Sequence, residues 1–304
     1  MPSTLPKISI ITPSYNQGQY IEATILSILN QNYPDLEYII IDGGSTDGTI
    51  EVIKKYEKHL KFWVSEADKG QAHAINKGLT HCTGAIFNWI NSDDLLANDA
   101  LHIIAKAYNN QPEASIVGNV FNFFNGNIDN GYLFINRDIN FNKLKTKFDG
   151  GQYHQPGVWY NLKNLKQFGY FNEKYHFGFD HDHYIGYIQA YPTVYYTNKT
   201  LVLFRLHESS KSVASSSKFI LDKMSYLSNH IQKSNDSLIQ KFLIHMYEQI
   251  YYEFLITKIT LSKKPIIYRV LLLLKCLKYC FNKPLSFRFI LGALKKIVFN
   301  YESR

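Results

Sequence analysis

The chain has 304 residues, of which 45% are hydrophobic and 19% are charged. This composition fits one large domain, or one domain with a sizeable appendage, and it argues against general disorder. The three cysteines contain no C-x-x-C pair, so they indicate neither a disulfide framework nor a zinc site, and they fit a reducing compartment. The N-terminus lacks the basic start and long apolar stretch of a signal peptide, so we expect a cytoplasmic protein.

The formal net charge of +8 is concentrated at the C-terminal end. Between Lys258 and Arg304 there are eleven Lys and Arg residues and one acid, Glu302, whereas the preceding 257 residues carry a slight negative charge. The basic end of the chain therefore requires an explanation of its own.

The first hundred residues alternate between predicted strands and predicted helices. Short runs rich in β-branched or aromatic residues predict four strands, at residues 7–12, 36–42, 61–66 and 84–90. Between them, apolar periodicity predicts helices at residues 20–30 and 50–59, the second capped by Ser45 or Thr46, and a third opening within residues 68–78. Alternation with short connections predicts a parallel sheet with right-handed crossovers.

Polar residues follow each of these strands at its carboxyl end, where open parallel sheets bind their ligands. They are Thr12, Pro13 and Tyr15 after the first strand, Asp42 after the second, Glu66 and Asp68 after the third, and Asn91, Asp93 and Asp94 after the fourth.

The apolar run AIFNWI ends close to the adjacent acids Asp93 and Asp94. Two neighbouring carboxylates repel each other unless a cation lies between them, and Mg²⁺ or Mn²⁺ binds such oxygens and completes its shell with substrate phosphates. The alternative is that both acids cap the helix predicted in DLLANDALHIIAKAY, since acids favour helix N-termini. Convergence of Asp42 and the Tyr15 loop on the same edge favours the metal.

The motifs TPSYN, IIIDGGSTDGT, DKGQAHAINKG and NSDD, in this order and spacing, resemble the inverting family-two glycosyltransferases of GT-A fold, of the bacterial polysaccharide or O-antigen type. The resemblance is strong over residues 7–100 and looser to about residue 210. It implies an α/β GT-A fold, a Rossmann-like nucleotide-diphospho-sugar transferase with a mixed, mainly parallel sheet flanked by helices. We expect this domain at residues 1–215 and a basic helical region at residues 216–304.

The resemblance also implies roles around a nucleotide-sugar donor. Thr12, Pro13 and Tyr15 would surround the nucleobase, and Asp42 would accept a hydrogen bond from it. Asp93 would hold Mn²⁺ or Mg²⁺ against the diphosphate, and Asp94 would orient the sugar. Asn91 replaces the first acid of the family's D-x-D motif, and its amide oxygen would accept from ribose or bind the metal through water.

Further donor contacts are implied for Asp68, Lys69, Asn76 and Arg205, with His207 as an extra metal ligand. The alternative for Lys69 and Asn76 is that they are ordinary solvated helix residues. For Arg205 and His207 the alternative is an exposed basic pair at the end of a strand.

The segment GYFNEKYHFGFDHDHYIGYIQ resembles the family segment that supplies the general base. Asp180 is the candidate base and Asp182 also matches, whereas Phe179 stands where an acid is usual. An inverting transfer requires a carboxylate to take the acceptor's proton while the metal neutralises the departing diphosphate. In YHQPG, His154 and Gln155 are candidate acceptor contacts, with Asp182 as a third.

The HDH sequence raises one alternative. His181 and His183 could form part of a zinc site, but no further Cys or His falls at metal-ligand spacing, so rim histidines near an acceptor groove are favoured.

From about Lys218 onward the pattern is helical and increasingly basic. The longest apolar run, Val270 to Leu274, is far shorter than the roughly 20 residues that span a bilayer. Apolar and basic residues at short intervals favour helices lying on an anionic membrane surface, which predicts a peripheral protein at the inner face of the cytoplasmic membrane. The alternative is an appendage packed on the catalytic domain or on a second subunit. No nucleic-acid module accompanies the basic segment, so we expect no nucleic-acid partner.

Together these features predict a metal-dependent inverting glycosyltransferase of hexosyltransferase type. Its donor would be a UDP-sugar, and its acceptor a glycan or lipid-linked molecule in the synthesis of a cell-surface polysaccharide such as lipopolysaccharide. A dinucleotide-dependent oxidoreductase is disfavoured because the first turn, PSYNQG, lacks G-x-G-x-x-G. A non-catalytic sugar-nucleotide-binding or scaffold protein is the second hypothesis, suggested by Asn91 and Phe179. The sugar, the acceptor and the oligomeric state are left open.

Overall fold

A computed structural model of the chain describes residues 5–124, 126–137, 154–208, 210 and 216–237, with scattered positions between 240 and 271. The chain divides into two compact units, Met1–Ser215 and Ser216–Arg304. The first unit contains all of the described strands.

The strands of the first unit are β1 (Ile8–Ser14), β2 (Leu36–Asp42), β3 (Phe62–Ser65), β4 (Ile86–Trp89), β5 (Leu95–Leu96), β6 (Ser115–Phe124), β7 (Asn127–Phe134), β8 (Val158–Asn161) and β9 (Val194–Leu206). Its helices are α1 (Ile21–Leu29), α2 (Thr49–Tyr56), α3 (Gln71–Leu79), α4 (Ala100–Asn110), α5 (Leu162–Phe168) and α6 (Phe179–Ala190). Single 3₁₀ turns cover Glu57–His59 and Gln155–Gly157.

The described strands form one sheet in the order β3-β2-β1-β4-β8-β6-β9-β5, with β7 paired to β6. Strands β1 to β4 are parallel to one another, as is the pair β6 and β9, and the remaining pairs are antiparallel. The four predicted N-terminal strands are therefore confirmed. All seven residues of β1 are buried, which is typical of a strand covered on both faces. Ile21, Ile25 and Ile28 of α1 belong to the same core.

The structure contradicts the alternative that the NSDD acids cap a helix, and it contradicts the predicted cap of α2. Asp93 and Asp94 do not cap α4, because that helix begins at Ala100 and the short strand β5 intervenes. Helix α2 follows Gly48, and no side chain caps it. The acids instead lie in a loop between β4 and β5. Because β5 pairs with β9 through Leu95–Leu203 and Leu96–Val202, that loop is held beside the end of β9.

The second unit is described mainly by α7, Ser216–Lys233, in which Tyr226 and Leu227 are buried and Leu221 is half exposed. Most of the basic segment 258–304 lies outside the described residues, and so does the prediction made for it. Across the part of the chain that is described, helices are too short or too polar to cross a bilayer.

Candidate active site

The loops that follow β1 and β2 are joined by hydrogen bonds at the carboxyl edge of the sheet. The Asn16 amide N–H donates to Ser45 Oγ (2.7 Å), and the Thr46 N–H donates to Asn16 Oδ1 (2.9 Å). Asn16 has φ of 51°, a conformation that asparagine tolerates better than most residues. The Gly18 N–H donates to Asp47 Oδ2 (2.9 Å). The two loops are therefore held together at this edge of the sheet.

Asp42 stabilises the loop after β2 through buried hydrogen bonds. Its side chain is fully buried, and its carboxylate accepts hydrogen bonds from the N–H groups of Gly44 (3.1 Å) and Ser45 (2.9 Å) and from the hydroxyls of Ser45 (2.5 Å) and Ser65 (2.6 Å). The chain itself thus fills the four acceptor positions of a carboxylate. Asp42 therefore shapes the turn, and its hydrogen bond with a nucleobase stays a prediction.

Of the three residues expected around a base, only Tyr15 is exposed. Thr12 is fully buried, and its hydroxyl lies 3.0 Å from the Tyr38 hydroxyl. Pro13 is also buried within β1. Tyr15 follows the strand and is 62% exposed. The Thr12 and Pro13 side chains are thus buried in the sheet and the Tyr15 ring is accessible, and the contact of all three with a nucleobase stays a prediction.

Gly43 packs closely against both the Tyr15 ring and the Asp68 carboxylate. A Cβ atom at Gly43 would be 3.0 Å from Asp68 Oδ2 and 3.3 Å from Tyr15 Cδ2, so any other residue would push these side chains aside. The other oxygen of Asp68 accepts from the Gly70 N–H (2.7 Å), which fixes the turn that carries the exposed Lys69. The Tyr15 ring and the Asp68 carboxylate thus both lie beside Gly43, and Lys69 follows Asp68 in the same turn.

Asn76 joins α3 to the segment that precedes α6. Its side-chain amide donates to Phe171 O (2.9 Å) and Glu173 Oε1 (2.9 Å), and its oxygen accepts from the Phe171 N–H (2.9 Å). The alternative of an ordinary solvated helix residue is therefore wrong, and a donor contact of Asn76 stays a prediction.

The buried acid of the NSDD loop is Asp94, which has no exposed surface. Asp94 Oδ1 accepts from the Arg205 N–H (3.0 Å) and Oδ2 accepts from Asn91 Nδ2 (3.1 Å), while Asn91 Oδ1 accepts from Gln71 Nε2 (2.6 Å). Burial, followed by the charge of Asp93, raises the pKa of Asp94 well above its usual value. Asp94 therefore anchors the loop to β9, and its contact with the sugar stays a prediction.

These contacts explain why an amide stands at position 91. Asn91 needs both a donor, for Asp94, and an acceptor, for Gln71. An amide provides both at neutral pH, whereas a carboxylate would only accept. Asn91 therefore makes contacts within the loop, and its contact with ribose or metal stays a prediction.

Asn91→Asp is expected to destabilise the fold rather than to restore a metal motif. The change puts a second carboxylate against buried Asp94, which should cost about 2 kcal/mol at neutral pH. The folded pair would share a proton that the unfolded chain releases, so stability is retained at low pH and lost as pH rises through the folded pKa. The melting temperatures of wild type and of the Asn91→Asp and Asn91→Ala single variants at pH 5 and pH 8 measure this pH dependence of stability. Asn91→Ala removes the same donor without adding charge, so an equal pH dependence in both variants would contradict the explanation.

The second acid, Asp93, faces His207. Asp93 Oδ2 lies 3.0 Å from His207 Nε2, and the Asp93 side chain is 19% exposed. The His207 ring packs on Tyr20, with ring centroids 4.7 Å apart. The strand β9 thus brings to Asp93 the histidine that the sequence suggested as a metal ligand.

Arg205 stabilises the backbone that carries Asp93 of the Asp93–His207 pair. Its Nε donates to the carbonyl oxygen of Asp93 (2.9 Å), and its guanidinium carbon lies 5.1 Å from the Tyr20 ring and 4.8 Å from the Phe123 ring. A guanidinium between two aromatic rings is held by cation–π contacts. Arg205 is therefore not the exposed end of a strand, and it orients the loop that carries Asp93.

The candidate base, Asp180, lies in the first turn of α6 and is partly exposed. Its neighbour Phe179 is 4% exposed and packs on Trp89, the last residue of β4, and on Phe171, with centroids 6.0 and 5.8 Å apart. This aromatic contact explains the departure from an acid at position 179. It also sets the start of α6 against the strand end from which the Asp93 loop emerges.

The residues expected to contact the acceptor are partly structural. Gln155 is buried, and its amide donates to Asn88 Oδ1 (2.9 Å), while its contact with the acceptor stays a prediction. His154 Nε2 lies 3.1 Å from Asn122 Oδ1. Burial, and to a smaller degree the charge of His181, lowers the pKa of His154 to about 4, which leaves this imidazole neutral at physiological pH.

The HDH sequence does not form a metal site. His183 is buried, its Nε2 lies 3.0 Å from Gly169 O, and burial lowers its pKa to about 4. It packs on Phe171 in the aromatic cluster, so the prediction of two rim histidines is wrong for His183. Asp182, in the same first turn of α6, is partly exposed.

A metal ion can be tested against this geometry. Within the described residues, no cluster of three or more His, Cys, Asp or Glu side chains could hold a metal ion by itself. The Asp93–His207 pair supplies one carboxylate and one imidazole that already converge at 3.0 Å. Such a pair fits an ion that takes its remaining ligands from diphosphate oxygens and water.

Sequence reasoning missed three residues of this site: Gln71, Tyr20 and Phe123. Gln71 lies in the DKGQ motif, where its position directly after the turn was the only signal. The two rings carried no signal, because their partner Arg205 is distant in the chain and aromatic residues are common throughout it.

Comparison with known proteins agrees with this architecture. TarS of Staphylococcus aureus, solved in complex with UDP-GlcNAc, is similar with a TM-score of 0.62 at 18% identity, over 84% of this chain and 74% of that one. The mannosyltransferase PcManGT of Pyrobaculum calidifontis, solved with GDP-Man and Mn²⁺, gives a TM-score of 0.60 at 18% identity, over 99% of this chain and 89% of that one. The predicted α/β GT-A fold is therefore confirmed.

The sequence defines the family. The model of glycosyl transferase family 2 matches residues 9–191, and the chain belongs to that family of sugar-transferring enzymes. An uncharacterized glycosyltransferase of Haemophilus influenzae is 43% identical over 100 residues, which are 32% of this chain and 40% of that protein. TuaG of Bacillus subtilis, named for teichuronic acid biosynthesis, is 41% identical over 99 residues, which are 32% of this chain and 39% of that protein. The matches thus span about two fifths of these relatives.

Proposed function

We propose that the chain is an inverting glycosyltransferase that moves a sugar from a nucleotide-sugar to a hydroxyl of a glycan or lipid-linked acceptor. One observation carries this proposal: the Asp93–His207 pair (3.0 Å) and the start of α6, which bears Asp180, both adjoin the carboxyl end of β4. A leaving-group site and a candidate base at one strand end are what an in-line sugar transfer requires.

In this proposal the donor's nucleotide binds beside the exposed Tyr15 ring. The ring stacks on the base, Asp68 accepts from base or ribose, and Lys69 meets a phosphate. A uracil base is proposed because of the family resemblance, and TarS was solved with UDP-GlcNAc, although that likeness concerns the fold alone.

Asp93 and His207 would hold Mn²⁺ or Mg²⁺, which when bound supplies positive charge to the diphosphate as it leaves. Arg205, fixed between Tyr20 and Phe123, keeps the Asp93 backbone in place. Asp180 takes the proton from the acceptor hydroxyl as its oxygen attacks the anomeric carbon. The transfer is a single displacement, so the chain needs no nucleophile of its own.

The experiment that tests this function is a screen of UDP-, GDP- and dTDP-sugars for hydrolysis and for thermal stabilisation, with Mn²⁺ and with a chelator. We expect one UDP-sugar to raise the melting temperature and to be hydrolysed slowly only when the metal is present. Binding without turnover of any donor would favour the non-catalytic alternative. Absence of both binding and turnover would contradict the proposal.

Tyr15→Ala is expected to weaken donor binding about tenfold while the rate at saturation changes little, because one base–aromatic stack is lost. Since Tyr15 is 62% exposed, the melting temperature should not change. Donor KM and kcat measure the effect. Tyr170→Ala is a matched control, because that ring is 59% exposed on the loop before α6. An unchanged donor KM in Tyr15→Ala would contradict the proposal that this ring stacks on the base.

The product is proposed to be a cell-surface polysaccharide, which agrees with the name of the relative TuaG. Peripheral attachment to the inner face of the cytoplasmic membrane through the basic segment 258–304 remains a proposal from the sequence.

A further inference from the structure

Aromatic side chains cluster on and beside the hairpin that β6 and β7 form. We define the aromatic hairpin face as Phe124, Tyr132, Phe134, His154 and Phe204. Tyr132 is 51% exposed and Phe124 is 38% exposed. In the register, Asn122 lies directly opposite Tyr132 on β7 and pairs with Phe204 on β9. Directly paired residues project from the same face of a sheet, so these side chains share one surface.

The turn of this hairpin adjoins an arginine of the candidate active site. The ring centroids of Phe134 and His154 are 5.2 Å apart, and those of His154 and Phe204 are 4.6 Å apart. Arg205 follows Phe204 in β9, so its side chain projects from the opposite face of that strand. At the turn of the hairpin, a Cβ atom at Gly126 would lie 3.3 Å from Arg205 Nη1.

The His154 end of the face is related to the helix that bears the candidate base. His154 is close enough to His181 for the charge of His181 to lower its pKa. His181 directly follows Asp180 in α6. The electrostatic influence of His181 thus relates the His154 end of the face to helix α6, and at the other end lie the exposed Tyr132 and Phe124 rings, whose centroids are 6.1 Å apart.

A buried donor on the same face has no acceptor. Asn122 is 2% exposed, and its Oδ1 is engaged by His154 Nε2 at 3.1 Å. Its Nδ2 finds no hydrogen-bond partner within the described part of the chain. Buried donors are nearly always paired, so an unpaired one beside an exposed aromatic pair indicates a place for a ligand oxygen.

We propose that the aromatic hairpin face binds the acceptor carbohydrate next to the unit that receives the transferred sugar. Tyr132 and Phe124 pack against the C–H faces of pyranose rings, and the Asn122 amide donates to a sugar hydroxyl. This inference rests on the proposed function. Flat rings with an amide donor suit a carbohydrate, which offers an apolar face edged by hydroxyls.

The composition of the hairpin disfavours a membrane as the occupant. Residues 115–124 carry no charge, and residues 126–137 carry only Asp129 and Arg137. Surfaces that attach to anionic bilayers are rich in Lys and Arg around their apolar residues. A bilayer contact is therefore an outcome to be tested against the proposal.

The test uses the full chain on an array of immobilised oligosaccharides with hexose and N-acetylhexosamine termini. Wild-type protein should bind at least one glycan, and the double variant Phe124→Ala/Tyr132→Ala should bind it at least about tenfold more weakly, since two stacked rings are lost. The control Leu133→Ala/Ile135→Ala removes two side chains of the same hairpin, 46% and 50% exposed, at alternate positions outside this face. It should bind as wild type does.

Donor hydrolysis, measured in parallel, separates this inference from the proposed function. Because water is the acceptor in hydrolysis, the double variant should hydrolyse the donor at the wild-type rate, which also shows that it is folded. Normal hydrolysis with unchanged glycan binding in the double variant would overturn the hairpin proposal alone. So would the absence of any wild-type glycan binding, or binding of the wild-type chain to phosphatidylglycerol vesicles that the Phe124→Ala/Tyr132→Ala variant loses. Failure of wild-type hydrolysis with every donor would instead count against the proposed function.

Discussion

Asp180→Asn should reduce sugar transfer by about 10²–10⁴-fold, the range that a general base contributes. The amide has nearly the same shape as the carboxylate but cannot accept the acceptor's proton. Asp180 is partly exposed in the first turn of α6, and its carboxylate makes no hydrogen bond to other described residues, so the fold should tolerate the change. Donor affinity should stay at the wild-type value. Transfer rates and calorimetric donor binding measure the two quantities separately.

Asp182→Asn is the comparison variant, since Asp182 lies two residues further along the same turn. If Asp180 is the base, the Asp182 variant should keep most of its turnover and show at most a change in the acceptor's KM. An exchange of the two phenotypes would assign the base to Asp182. A non-catalytic protein would show donor binding without turnover in wild type and in both variants.

Asp93→Asn should reduce transfer by about 10²–10³-fold and abolish the stabilisation by Mn²⁺ plus donor, because the anionic ligand is lost and the diphosphate charge is no longer neutralised. His207→Ala should act in the same direction, since Nε2 lies 3.0 Å from the same carboxylate. The thermal shift with Mn²⁺ and donor is a readout that does not depend on turnover.

The control for lost negative charge is Glu22→Gln. Glu22 pairs with Lys55 at 2.6 Å and is 43% exposed on α1. It should keep its metal response and its activity. A metal-dependent thermal shift that survives in both Asp93→Asn and His207→Ala would exclude this pair as the metal site.

The sequence predicted the strands of the first hundred residues well, because β1, β2 and β4 are buried runs bounded by turns, and this pattern is local. It also placed Asp93, His207 and Asp180 as candidates from motif order. The direction in which a polar side chain turns was not predictable. Asp94 is anchored by the N–H of Arg205, 111 positions away, and Asn76 by the backbone of Phe171, 95 positions away.

The same reason accounts for Thr12, Asp42 and Gln155. Each is a polar residue in a motif that points to ligand binding, yet each finds a partner inside the fold. Motif spacing identifies the edge of the sheet but does not distinguish the group that meets a substrate from the group that holds the loop. Burial and hydrogen-bond partners make that distinction, and they depend on contacts between segments distant in the chain.

The three hydrogen bonds of Asn76 have a consequence for engineering. They connect the helix behind the Lys69 turn to the backbone just ahead of Asp180, so the part proposed to hold the nucleotide and the part proposed to activate the acceptor are aligned by one amide side chain. A chimera that borrows its first hundred residues from a relative would therefore need a compatible amide here. Without it, both halves could fold correctly and still meet in the wrong alignment.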